Sequence, residues 1–236
     1  MDEQFDEKVK NINELYETAQ DLADKGEKVI CNDEMTGVQA LERKYEGLPL
    51  RPGKVERREF EYIRHGTLSF IVNFEVATGS VAHVSCGKTR TEQDYLNHIQ
   101  GTVEAEPDVK RWHFVIDNLN THKSASLVRY VAAESDISDD TLGVKGKSGI
   151  LKSMKSRAEF LTNPDHRIVF HYTPKHASWM NQVEIWFSIL MRKLLKRGNF
   201  TSIDHLKNKV LAFISYYNDT MCKPFKWTTK GKAFAV

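Results

Sequence analysis

Apolar residues recur at helical spacing over residues 4–23, where Phe5, Val9, Ile12 and Tyr16 share a face and Lys25-Gly26 ends the pattern. The next apolar run, Val29-Ile30-Cys31, predicts a short buried strand at 28–32 that Asp33 closes. Periodicity then fails over 36–55, and Pro49 with Pro52-Gly53 marks this stretch as a long excursion without regular structure. From residue 58 the β-forming residues return. Runs at 58–65, 68–76 and 81–85 predict a three-stranded meander, with turns at His65-Gly66-Thr67 and Ala77-Thr78-Gly79-Ser80.

The second half alternates. Thr91-Glu92-Gln93-Asp94 has the capping-box form and opens a helix carrying Tyr95, Leu96 and Ile99. A strand is predicted at 111–116, a helix around 124–133, a strand at 167–172, and helices at 178–196 and 203–218. Residues 134–165, acidic at first and then basic, read as an inserted element with a short helix near 151–161. A meander followed by strands alternating with helices implies an α/β fold with a mixed sheet flanked by helices. The first strand is expected to pair with meander strands on one side and to run parallel to the Phe114 strand on the other.

The 236 residues suit one main domain that needs no disulfides. A net charge of +2 neither demands nor excludes nucleic acid, but the charge is unevenly spread. Residues 1–27 hold nine acidic and three basic side chains, whereas residues 191–236 hold ten Lys or Arg against Asp204 and Asp219. The carboxy-terminal end is the expected polyanion-facing end. Cys31, Cys86 and Cys222 are few and odd in number, as for buried thiols in a reducing compartment. No apolar run approaches the roughly 20 residues that span a bilayer, so the expectation is a cytoplasmic protein with no membrane partner.

Against this background three carboxylates stand out: Asp33 and Asp117 at the ends of hydrophobic strands, and Glu184 on a later helix. Each has an ordinary alternative, since Asp favours turns and caps and a helical Glu is commonly solvated. Glu184 lies at the margin of the apolar face formed by Trp179, Val183, Trp186, Phe187, Leu190 and Leu194. Asp33 and Asp117 are expected side by side at the carboxyl ends of neighbouring parallel strands, where open α/β sheets place their ligands. Three acids at one place repel one another unless cations intervene. Two Mg²⁺ ions, each taking one or two carboxylates plus water and phosphate oxygens, suit that count and point to phosphodiester chemistry.

Around these acids the readings stay open. Asn118 and His122 follow Asp117 closely and either orient the site from behind or cap the next helix. Asn181, three residues before Glu184, is a third candidate supporting residue. Lys175 and His176 precede the Glu184 helix, as DNA-phosphate contacts or as a solvated loop. Arg192, Lys193, Lys196 and Arg197 form either a solvated face or a phosphate-binding run.

The blocks Val115-Ile116-Asp117-Asn118-Leu119-Asn120-Thr121-His122 and Tyr172-Thr173-Pro174-Lys175-His176-Ala177-Ser178-Trp179-Met180-Asn181-Gln182-Val183-Glu184 closely resemble the catalytic blocks of bacterial insertion-sequence transposases of the mariner superfamily. Asp33-Glu34-Met35-Thr36-Gly37-Val38-Gln39-Ala40-Leu41-Glu42-Arg43 and Glu61-Tyr62-Ile63-Arg64-His65-Gly66-Thr67 extend the resemblance, which runs from about residue 28 to residue 228. It implies a ribonuclease-H-like (retroviral-integrase) fold with a mixed five-stranded sheet and the inserted element between its last two strands. It also implies that Asp33, Asp117 and Glu184 are an Asp-Asp-Glu triad holding two Mg²⁺ ions, for which Mn²⁺ substitutes. The activity implied is cut-and-paste transposition, with DNA inverted repeats and target DNA as partners, a homodimer on DNA, and a prokaryotic, nucleoid-associated location. The implied division is a leading acidic helix at 1–27, a catalytic domain at 28–228 that includes 134–165, and a tail at 229–236.

Two departures accompany the resemblance. Family members usually carry amino-terminal helix-turn-helix domains for end recognition, whereas this chain opens with the acidic helix. It is therefore expected to be a fragment, to rely on a partner for end binding, or to be a remnant. The 66 residues between Asp117 and Glu184 also exceed the family's usual interval, and 134–165 accounts for the excess. The alternative function is a catalytically inactive DNA-binding or oligomerisation remnant. A stand-alone ribonuclease or junction resolvase ranks behind both.

Overall fold

The computed structural model describes residues 4–48, 50–57 and 59–229. Pro49, Arg58 and all of the expected tail except Thr229 lie outside the described residues.

One five-stranded sheet organises the chain, in the order β3-β2-β1-β4-β5. Strands β1 (Glu27–Arg43), β2 (Tyr62–Glu75) and β3 (Ser80–Gly87) form an antiparallel meander, while β4 (Arg111–Ile116) and β5 (Ile168–Tyr172) run parallel to β1. The mixed sheet and the parallel pairing of the first strand with the Phe114 strand agree with expectation. Successive side chains of a strand face opposite ways. Val29, Cys31 and Val115 accordingly join one core while Ile30, Phe114 and Ile116 join the other.

Helices α1 (Phe5–Asp24), α5 (Val183–Lys193) and α6 (Ile203–Thr220) cover the first face. Helices α2 (Glu92–Ala105), α3 (Ala125–Ala133) and α4 (Met154–Leu161) cover the second. The expected capping box opens α2: the Thr91 side chain accepts from the Asp94 amide, and the Asp94 carboxylate accepts from the Thr91 amide at 2.7 Å. Residues 134–165 lie between β4 and β5, and their Leu142, Leu151 and Leu161 are fully buried in the second core. Helix α1 is fastened by Tyr16, whose hydroxyl donates to the Met180 carbonyl at 2.8 Å and lies 3.0 Å from Cys31 Sγ. No helix among the described residues is long and apolar enough to cross a membrane.

Three local expectations are corrected. Asp33 does not close a strand, because β1 continues to Arg43 through what read as an irregular excursion. That extension pairs with the first half of β2, as Gln39 with Thr67 and Arg43 with Tyr62, and isolated bridges between Leu48 and Arg57 and between Arg51 and Lys54 carry the hairpin further. Two expected strands, 58–65 and 68–76, are likewise one, since His65-Gly66-Thr67 passes through β2 without turning. Gly66 takes φ +121°, and a Cβ there would stand 2.7 Å from Ile203 Cδ1. The glycine admits a helix against the strand. The helix expected at 178–196 is shorter: 3-10 turns at Ser178–Met180 and Leu195–Arg197 flank α5, which places Glu184 in its first turn.

Candidate active site

Parallel pairing of β1 with β4 sets Cys31 opposite Val115. Two residues further on, Asp33 within β1 and Asp117 just past β4 fall by alternation on the face covered by α5, whose first turn holds Glu184. Asp33 is 8% exposed, and its carboxylate accepts from the Glu34 amide at 2.7 Å. Burial raises its pKa to about 7, and the charges of Asp117, Glu184 and Glu34 add to the rise against that one hydrogen bond. Burial together with Asp117 also raises the Glu184 carboxyl. The charges of Asp117 and Glu184 thus act on Asp33, and that of Asp117 acts on Glu184.

Asp117 is the acid held in its charged form. Burial alone would raise its pKa, but His122, the Leu119 amide and Lys123 outweigh that and lower it. Its Oδ1 lies 2.8 Å from His122 Nδ1 and accepts from the Leu119 amide at 2.9 Å. His122 is fully buried, its ring centred 4.2 Å from that of Tyr95. Burial would lower its pKa, yet hydrogen bonds to Asp117 and Glu34 raise it to about 9. Asn181 is also fully buried and donates from Nδ2 to the Asn32 carbonyl at 2.8 Å, tying the start of α5 to the strand residue beside Asp33.

Asn118 is engaged in the scaffold. Its Nδ2 donates to the Thr173 carbonyl at 2.6 Å and its Oδ1 accepts from Lys123 Nζ at 2.9 Å. An open cleft of about 320 Å³ adjoins this loop, lined by Arg90, Asn118, Leu119, Asn120 and Thr121. Lys175 and His176 are exposed on the loop between β5 and α5, with His176 at φ +62°. Arg192, Lys193, Lys196 and Arg197 are exposed at the far end of α5 and just beyond it. At 1.5 Å per residue, Arg192 is roughly 12 Å along the helix from Glu184.

The donor set is all carboxylate oxygen, the chemistry Mg²⁺ and Mn²⁺ prefer. Among the described residues no three His, Cys, Asp or Glu side chains converge on one ion-sized centre. The charges of Asp117 and Glu184 acting on Asp33 are what a bound cation would relieve. The residues present fit a divalent pair. Arg90 and Glu34 were not among the candidate residues of the sequence. Period-two alternation along β1 was the available signal for Glu34, because it turns that side chain to the face opposite Asp33.

No curated protein matches the chain by sequence. Its fold is similar to that of the Mos1 mariner transposase catalytic domain, with a TM-score of 0.52 and 11% identity over 91% of this chain and 83% of that one. It is similar as well to the Mos1 mariner paired end complex with Mn (TM-score 0.55, 11% identity, 91% of this chain, 56% of that one). The pre-cleavage Mos1 transpososome gives TM-score 0.55 and 11% identity over 90% of this chain and 55% of that one. The chain thus spans little more than half the length of the proteins in those two complexes, and the shared architecture is the ribonuclease-H-like fold expected from the sequence. Residues 28–207, which carry all three acids, match the DDE superfamily endonuclease family, and the chain belongs to that family.

Proposed function

We propose that this chain is the catalytic domain of a transposase that cuts DNA at the ends of a mobile element and joins the freed 3′ ends to target DNA. The observation that carries the proposal is the placement of Asp33 and Asp117 two residues beyond paired positions of neighbouring parallel strands, with Glu184 in the first turn of α5. Membership of an endonuclease family and a fold like that of a mariner transposase seen with paired ends and manganese support it.

Asp33, Asp117 and Glu184 hold two divalent ions, Mg²⁺ or Mn²⁺, in this reading. Bound there, the ions supply Lewis-acid activation of the attacking oxygen and stabilisation of the leaving oxygen. The chain's own part is placement. His122 and the Leu119 amide occupy Asp117 Oδ1, which leaves Oδ2 for the site. Asn181 keeps the Glu184 helix against the Asp33 strand. In cleavage a water oxygen bonds to phosphorus and the bond from phosphorus to the 3′ oxygen breaks, giving a 3′-hydroxyl and a 5′-phosphate. In joining, that hydroxyl attacks a target phosphorus and displaces a target 3′ oxygen. Lys175, His176, Arg192, Lys193, Lys196 and Arg197 contact DNA phosphates, and two copies act together on paired ends.

The test is nicking of supercoiled plasmid by the purified chain in Mg²⁺ or Mn²⁺, beside Glu184→Gln and an EDTA control. Metal-dependent nicking that the variant lacks is expected. Equal inertness of both proteins, with DNA still bound, would replace this reading with that of a binding remnant.

A further inference from the structure

We propose that Glu34 is a positioning residue of this site: its buried carboxylate fixes His122, and His122 fixes Asp117. The inference rests on the catalytic reading above and extends it to a residue outside the acid triad.

Glu34 follows Asp33 on β1, so its side chain leaves the opposite face of the sheet. That side chain is 2% exposed, and Oε1 lies 3.2 Å from His122 Nε2. The other oxygen, Oε2, is buried with no hydrogen-bond partner among the described residues. Burying a half-satisfied carboxylate is costly, and an apolar side chain of similar size would fill the space without that cost. The cost is offset at one place, the His122 ring. With Glu34 at Nε2 and Asp117 Oδ1 at Nδ1, 2.8 Å away, the imidazole has an acceptor at each end, and its plane and donor direction are set. Tyr95 stacks near the ring, and the Tyr172 hydroxyl donates to the His122 carbonyl at 3.0 Å, which pins the backbone beneath. Asp117 Oδ1 then receives donors from both His122 and Leu119, and the carboxylate can present only Oδ2 to the site. Removing the acceptor at Nε2 frees the ring to turn, and Asp117 loses its orientation while keeping its charge. Glu34 touches neither substrate nor ion and acts through His122.

The experiment compares wild type, Glu34→Leu and Glu34→Gln as full chains. Leucine removes the acceptor, whereas glutamine keeps one. Mn²⁺ binding to the DNA-free protein is read by the electron paramagnetic resonance of free Mn²⁺, and plasmid nicking is resolved into kcat and KM. Glu34→Leu should bind Mn²⁺ on the order of ten- to a hundred-fold more weakly and lose kcat by a similar factor, the usual effect of losing a group that orients a metal ligand. KM for DNA should be unchanged, and Glu34→Gln should stay near wild type. Wild-type Mn²⁺ affinity and kcat in Glu34→Leu would overturn the assignment, as would equal loss in both variants. A wild-type chain that neither binds Mn²⁺ nor nicks would bring down the catalytic reading and this one with it, whereas an active wild type beside an unimpaired Glu34→Leu brings down this one alone. If Glu34→Leu does not fold, ¹⁵N-histidine spectra of wild type and Glu34→Gln decide: a solvent-protected His122 Nδ1–H proton in both is expected, and its absence overturns the proposal.

Discussion

Asp33 and Asp117 stand at equivalent positions of two neighbouring parallel strands, each two residues beyond the paired Cys31 and Val115, yet their ionisation is pushed in opposite directions. Burial lifts Asp33 to about 7, whereas His122, the Leu119 amide and Lys123 overcome the same effect at Asp117. A metal-bound Asp33 must be deprotonated, so cation binding competes with its proton. Mn²⁺ affinity of the DNA-free chain should rise with pH through about 7 and level off above it, with proton release on binding in the acidic limb. Calorimetry in buffers of different ionisation enthalpy checks both. Affinity that is flat from pH 6 to 8 would contradict it.

The same shifts contribute to the stability of the metal-free chain. Asp33 and His122 both have folded pKa values above their ordinary ones, so the folded state holds the extra proton and stability falls as pH rises. The fall runs from about 4 to about 7 for Asp33 and from about 6.5 to about 9 for His122. Asp117, with a lowered pKa, works the other way and costs stability only as pH drops below the ordinary carboxylate range. In EDTA, the stability of wild type relative to Asp33→Asn should therefore fall as pH rises from about 4 to about 7, whereas buried His98 and His171, with lowered pKa values, act alike in both proteins. Thermal melts of both proteins across that range read the difference, and a difference that does not change with pH would contradict the prediction.

The periodic parts of this fold were legible. Helical spacing located α1, α2 and α6, because burial of one face dictates their residues, and a continuous apolar run located β4, which is buried on both faces. The far half of β1 was not legible, since exposed Thr36 and Gly37 fall at a register shift that breaks the alternation between Met35 and the core-facing Val38 and Ala40. Gly66 misled for a related reason. A glycine in a β-rich run signals a turn unless a distant element, here Ile203, needs the space. At the site, Asp117 was readable as a strand-end residue and Glu184 as a helix-margin one, and Asp33 was picked out by the apolar run before it although β1 continues past it. Glu34 was not, because a second acid beside Asp33 looks solvated until the partner that buries it, His122, is brought 88 positions back along the chain.

Asn181 joins two elements that each carry an acid. Its Nδ2 bond to the Asn32 carbonyl is fully buried, and its Oδ1 is buried without a partner among the described residues. Asn181→Ala should cost about 1–3 kcal/mol, the penalty for leaving a buried carbonyl unpaired, and should lower nicking more than DNA binding. Urea melts and filter binding separate the two effects. Unchanged nicking in a destabilised variant would show that the bond serves the fold alone.

The basic end of α5 makes a different prediction, because exposed cations act on DNA through counterion release and not through geometry at the acids. Replacing Arg192, Lys193, Lys196 and Arg197 together by Ala should reduce the slope of log K against log salt by about 0.9 for each duplex phosphate that these side chains neutralise. Mn²⁺ affinity should stay as in wild type, since Arg192 lies roughly 12 Å along the helix from Glu184. A salt slope equal to that of wild type would remove this face from the DNA path.

Cys31 lies two residues from Asp33 on the same face of β1, so its reactivity reports on the packing behind the site. Burial pushes its thiol up to about 12, and the Tyr16 hydroxyl 3.0 Å away only partly opposes that. The thiolate is the reactive species, and Cys31 is fully buried whereas Cys86 and Cys222 are partly exposed. Iodoacetamide at pH 8 should therefore label Cys86 and Cys222 while sparing Cys31, and peptide mapping reads the sites directly. Tyr16→Phe removes the bond to the Met180 carbonyl that holds α1 against the approach to α5. Labelling of Cys31 should then quicken, because local opening of α1 becomes cheaper by about 1 kcal/mol. Labelling of Cys31 as fast as Cys222 in the wild type would mean that α1 does not seal this face of the sheet.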